Sequence, residues 1–225
     1  MKPIVSSYAI VLTRVNFQEA DRIITVLTPG HGKVRVIAKG VRKSKSKMAG
    51  GVELFSINEL QFMPGKGDIG TLRSSRLHKH FAEISKNITK TMLAYECLRV
   101  IHKATEDAAE DEYYNLLAEV LHLLNVSDKL QHIELWFLMN VLALQGRAPE
   151  LHQDQSATAL KSTDTFAFNY DDMSFAPSRD GQFSVNHIKL LRAALRFSGM
   201  QFIGIKTDDV TVSTALNHTK KIIQY

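Results

Sequence analysis

The chain has 225 residues and a single cysteine, Cys97, which excludes an internal disulfide and a thiolate metal cluster. That usage fits a reducing compartment. No apolar run is long enough for a signal peptide or a membrane span, the opening MKPIVSSYAIVLTRVNF included, so a cytoplasmic location with no membrane partner is expected. Catalytic signatures are missing too. Gly30-His31-Gly32-Lys33-Val34 offers a Gly-Lys pair, but a phosphate-binding loop needs Ser or Thr after the lysine and a further glycine upstream; Val34 and Leu27 stand there instead. His78 and His80 could share one side of a strand end, yet no third metal ligand is obvious, and a solvated pair is the simpler account. Asp171-Asp172 and Asp208-Asp209 are adjacent pairs whose side chains point apart, a weak basis for a two-metal nuclease. No Ser-His-Asp arrangement is supported. The chain is expected not to be an enzyme and to carry no cofactor or metal.

Acid is also missing where base is dense. Between Asp21 and Glu53 there is no Asp or Glu, and the run KVRVIAKGVRKSKSK carries Lys33, Arg35, Lys39, Arg42, Lys43, Lys45 and Lys47. Its first half alternates, Lys33 and Arg35 on one face and Val34, Val36 and Ala38 on the other, as in a half-buried strand. Its second half loses the alternation at Gly40 and reads as an exposed loop. Residues 1–80 hold 14 Lys/Arg against 5 Asp/Glu, and residues 81–225 hold 14 against 18. A basic module facing a polyanion, followed by a domain of another kind, is the arrangement this suggests. A solvated face without a partner, or a localisation tract, accounts equally well for a basic run taken alone.

Short strands are expected over Ile4–Phe17, Arg22–Leu27, Lys33–Lys39, Val52–Met63 and Ile69–Leu77. A bulge is expected near Asn58, where the apolar phase changes. Five strands in so short a stretch predict a small barrel, of OB type or its SH3-like rival. From Phe81 the period becomes helical. Ile88, Met92, Tyr95, Leu98 and Ile101 mark the buried face of a first helix with Asn87 as N-cap; Tyr113, Leu117, Val120, Leu121 and Leu124 mark a second. Asp128–Gln145 is apolar nearly all round and predicts a central helix closed by Gly146. Residues 150–183 read as an inserted loop region with a hairpin around Phe166, Phe168, Tyr170 and Phe175. A further helix follows over Ser184–Phe197, and the last stretch, 208–225, reads as a last helix against which Val210-Thr211-Val212 count. The fold class is therefore α+β, a five-stranded OB-type barrel over 1–80 followed by a helical bundle over 81–225.

Arg73 and Arg76 on the fifth strand add charge to the basic run. Tyr8, Phe17, Phe55 and Phe62 are candidate base-stacking rings, most of them expected in the core. On the late helix Lys189, Arg192 and Arg196 form one stripe. It reads first as a solvent face, and otherwise as a cationic ledge for DNA or an acidic peptide.

The block from Glu19 to Thr28, followed by Gly32-Lys33-Val34-Arg35-Val36-Ile37-Ala38-Lys39-Gly40-Val41-Arg42-Lys43-Ser44-Lys45-Ser46, resembles the bacterial RecO recombination mediators. Gly146-Arg147-Ala148-Pro149-Glu150-Leu151 is similar to their link leaving the central helix. The resemblance implies an OB fold that binds single-stranded DNA, joined to a helical domain. It also implies annealing of complementary strands and, usually with RecR, help in loading RecA onto DNA coated by single-strand-binding protein, whose acidic tail is a further expected partner. Lys39, Arg42, Lys43 and Lys45 fall in the matching motif and would contact the backbone. Many members carry a cysteine-rich zinc module between the central and late helices. Residues 151–183 here contain no cysteine, so zinc is not expected. The rival is an OB module for RNA, separable by competition between DNA and RNA of equal length.

Overall fold

The computed structural model describes residues 3–46, 48, 52–65, 67–105, 111–153, 160 and 165–224. Five strands come first: β1 (Val5–Phe17), β2 (Asp21–Thr28), β3 (Gly32–Ala38), β4 (Ser56–Met63) and β5 (Ile69–His80). They close into a barrel in the order β1-β2-β3-β5-β4, with β3 and β5 parallel and the other neighbours antiparallel. That order, with one parallel closure, is the five-stranded Greek-key barrel of the OB fold, which resolves the choice between the two barrels. Alternation fills the interior: Ala9, Val11, Ile24, Val26, Val36, Ala38, Leu60, Phe62 and Leu72 form one core. Ala9 to Leu12 are buried on both sides of β1, as its doubly apolar middle predicts.

A β4–β5 register shift falls at the expected place, between Ile57 and Asn58, and another between Gln61 and Phe62, but the extra residues, His78 and Arg73, are on β5. β4 keeps one alternation, with Ser56, Asn58, Leu60 and Phe62 all buried. The fourth strand starts later than its sequence suggests. Val52 and Phe55 are buried, but Phe55 has φ +57°, a left-handed conformation that interrupts the extended backbone just before Ser56.

Three helices share a compact unit with the barrel, Met1–Val126: α1 (Ala82–Ser85), α2 (Ile88–Ala104) and α3 (Asp111–Val126). Asn87 caps α2 by accepting from the backbone N–H of Thr89 and Lys90 at 2.9 and 3.1 Å. Replacing it with alanine is expected to cost about 1 kcal/mol in urea unfolding followed by circular dichroism. The buried face of α2 matches the expected one at Leu98 and Ile101 and departs from it in the first half of the helix. Leu93, Ala94, Cys97, Leu98, Val100 and Ile101 are buried, whereas Ile88, Met92 and Tyr95 are exposed. Two apolar stripes compete on this helix, and the one with small Ala94 and Cys97 allows the closer packing.

The second compact unit, Ser127–Tyr225, contains α4 (Leu130–Leu144), β6 (Thr165–Asn169), β7 (Ser174–Pro177), β8 (Phe183–Ser184), α5 (Val185–Arg196), α6 (Gly199–Ile203) and α7 (Asp209–Gln224). The strand-to-helix change thus falls near residue 80, while the compact units divide at Val126. α4 packs against α5, α6 and α7, as a helix apolar all round must. It ends in a Schellman turn: Gly146 at φ +68° donates to Ala143, and Arg147 N–H donates to Leu142. The expected hairpin is β6–β7, joined on its other edge by β8 in the order β7-β6-β8. The tail is helical. Asp208 accepts from Thr211 N–H and Oγ1, each at 2.7 Å, and this cap sets α7 going before its β-branched residues count against it. The same two bonds hold the Asp208 carboxyl below its ordinary pKa.

Candidate nucleic-acid interface

The basic run leaves β3 at Ala38 and is fastened mainly by its backbone. Gly40 N–H donates to Asp21 Oδ1 at 2.7 Å, and Arg42 N–H donates to Ala20 O at 3.0 Å. Lys43 N–H returns to Gly40 O at 3.1 Å and Ser46 N–H to Lys43 O at 2.9 Å. Val41 turns inward to the barrel core beside Val52. These bonds leave the side chains of Lys39, Arg42, Lys43 and Lys45 exposed. An open cleft of about 650 Å³ lies between this exit and the β1–β2 turn, lined by Phe17, Asp21, Ile37, Lys39, Gly40 and Lys43 among others. Phe17 keeps 38 % of its surface exposed. Lysines beside a free aromatic face are the chemistry a single strand requires, phosphate contacts together with a stacking platform. Arg35, exposed on the same strand, extends the charge along the outside of β3.

The other candidates are dispersed. Lys33 reaches the C-terminal end of α2 and donates to His102 O at 2.9 Å, where a cation meets the negative end of the helix dipole; it is a structural tie, not a free cation of the rim. Arg42 spends one guanidinium nitrogen on Glu19 O, at 3.2 Å. Lys47 lies outside the described residues. Arg73 and Arg76 are exposed on β5, away from the cleft lining. Phe55 and Phe62 are buried, whereas Tyr8 and Phe17 are exposed. In the second unit the stripe is broken, because Arg192 donates to the Leu151 carbonyl. Lys189 and Arg196 remain exposed, Arg196 lying 5.8 Å from the Phe197 ring centroid. Sequence reasoning passed over Arg14 and Arg22, which both pair with Glu53; nothing local in the sequence signals a contact of that range. It also passed over the pairing of Tyr8 with His78, whose ring centroids are 4.8 Å apart.

Comparison with known proteins gives the same outline. The family profile described as Recombination protein O N terminal matches residues 1–81, and that described as Recombination protein O C terminal matches residues 85–225. The chain belongs to the RecO family. It is 30% identical over 191 residues to a DNA repair protein RecO of Dehalococcoides mccartyi, covering 82% of this chain and 75% of the relative. Against that of Desulfatibacillum aliphaticivorans it is 34% identical over 156 residues, 67% of this chain and 60% of the relative. Against that of Listeria monocytogenes it is 29% identical over 161 residues, 71% of this chain and 62% of the relative. The chain therefore spans less than two thirds of the length of the latter two. The two RecO profiles meet where β5 gives way to α1. The link motif of the RecO resemblance also has a structural reason, for Arg147 donates to Ile222 O near the end of α7 at 2.9 Å. Among the described residues no helix is long and apolar enough to cross a membrane.

Proposed function

We propose that this RecO-family chain is a non-catalytic mediator of recombinational DNA repair, which binds single-stranded DNA on the barrel rim and anneals complementary strands. The observation that carries this reading is the open cleft where Lys39 and Lys43 adjoin exposed Phe17, with Arg42 and Lys45 on the loop beyond. Phosphates held by exposed lysines leave base edges unread, so binding is sequence-tolerant and bound strands remain free to pair. Neutralising phosphates also lowers the repulsion between two strands. Loading of RecA on DNA coated by single-strand-binding protein, with RecR and the acidic tail of that protein as partners, belongs to the same proposal and is supported by family membership.

Annealing of complementary oligonucleotides, with and without single-strand-binding protein, tests the proposal. The chain is expected to accelerate annealing in both conditions. Rates equal to those without the chain, in both conditions, contradict it.

A further inference from the structure

Arg73, Arg76 and Lys79 recur every third residue along β5. In a regular strand that spacing alternates faces. Here the two register shifts intervene, one at Arg73 and one at His78, where the partner strand passes directly from Gln61 to Phe62 and from Ile57 to Asn58. Each bulge inserts a residue and re-aims those after it. Arg76 therefore stands opposite exposed Glu59, and Lys79 opposite Ile57, on the outer wall. Arg73 Nε reaches Met63 Sδ at 3.1 Å, across the same wall. The cations span roughly 20 Å at the usual rise of a strand. Beside them, Tyr8 stands opposite Glu59 on β1, 45 % exposed, with its ring against that of His78.

This wall is made of β1, β4 and β5, whereas the cleft of the rim is lined from the β1–β2 turn and the end of β3. A row of cations flanking an exposed pair of rings repeats the chemistry of the rim on another side of the barrel. We infer that the β1–β4–β5 wall is a binding site for a second single strand of DNA, held by Arg76 and Lys79 and stacked on the Tyr8–His78 pair. The inference rests on the reading that the rim holds the first strand. Annealing needs two strands side by side with their bases free, and two tracks on one barrel supply that without a second copy of the chain.

The test uses two non-complementary oligothymidylates with different dyes, energy transfer between them reporting joint capture, alongside the annealing rate of complementary strands. Arg76→Glu and the double variant Arg76→Ala/His78→Ala change exposed side chains only. Both are expected to keep the affinity for a first strand within about twofold while joint capture and annealing fall at least tenfold. A first-strand affinity that falls in step with annealing overturns the inference, because it makes the wall part of one continuous track. Annealing and capture at the unsubstituted rate overturn it as well. If the unsubstituted chain binds no single strand at all, the rim reading fails first and takes this one with it.

Discussion

Replacing Lys39, Lys43 and Lys45 together with alanine is expected to weaken binding of single-stranded DNA roughly a hundredfold at about 0.1 M salt, since each lost phosphate contact removes about 0.7 of a decade per decade of salt. The fold should survive. The three side chains are exposed, and the loop that carries them is held by backbone bonds from Gly40, Arg42 and Lys43 and by inward-facing Val41. Fluorescence anisotropy gives the affinity and circular dichroism the fold. An unchanged affinity in a folded variant would remove the loop from the interface.

The second large effect is on stability in acid. His218 on α7 is 4 % exposed and sits among Phe168, Phe175 and Phe183, with ring centroids 4.3, 5.6 and 4.6 Å away. Its Nε2 is buried and meets no partner. Burial, with Lys221 acting in the same direction, lowers its pKa from 6.5 to about 4. The unfolded chain therefore binds a proton that the folded chain refuses between pH 6.5 and 4, and stability rises with pH across that window. On acidification the loss begins near the unfolded value and is complete below the folded one, at about 3 kcal/mol in all. Burial also lowers His132 and His187, which adds to the loss with the same sign. Denaturant unfolding followed through Trp136, the chain's one tryptophan and buried in α4 of the same unit, should show this fall from pH 7 to 4. His218→Phe should show a clearly smaller one. An equal fall in both would mean that His218 is not the group responsible.

Much of the fold was legible because local chemistry decided it. Alternating valines and isoleucines set the strands. Asn87 announced the start of α2, and Gly146 the end of α4. What failed to show was always a choice between two local options made from far away. The Ile88, Met92 and Tyr95 stripe of α2 is as apolar as the buried one, and only the neighbours select between them. Lys33 reads like any other cation in a basic run until the end of α2 arrives beside it. Arg192 likewise reads as part of a ledge until the Leu151 carbonyl claims it. At the candidate site the sequence revealed the cations of the loop and offered Phe17 as one of four candidate rings, but did not single it out, since a strand-end aromatic carries no mark of its exposure. Nor did it separate Arg73 and Arg76 from the rim, because that depends on where the bulges fall.

The most direct test of the central claim, that rim cations grip the sugar-phosphate chain, is the salt dependence of oligothymidylate binding. With Lys39, Arg42, Lys43 and Lys45 engaged, log affinity should fall against log salt with a slope of about −3, and with the three lysines replaced the slope should flatten to about −1. Parallel lines for the two chains would contradict the account.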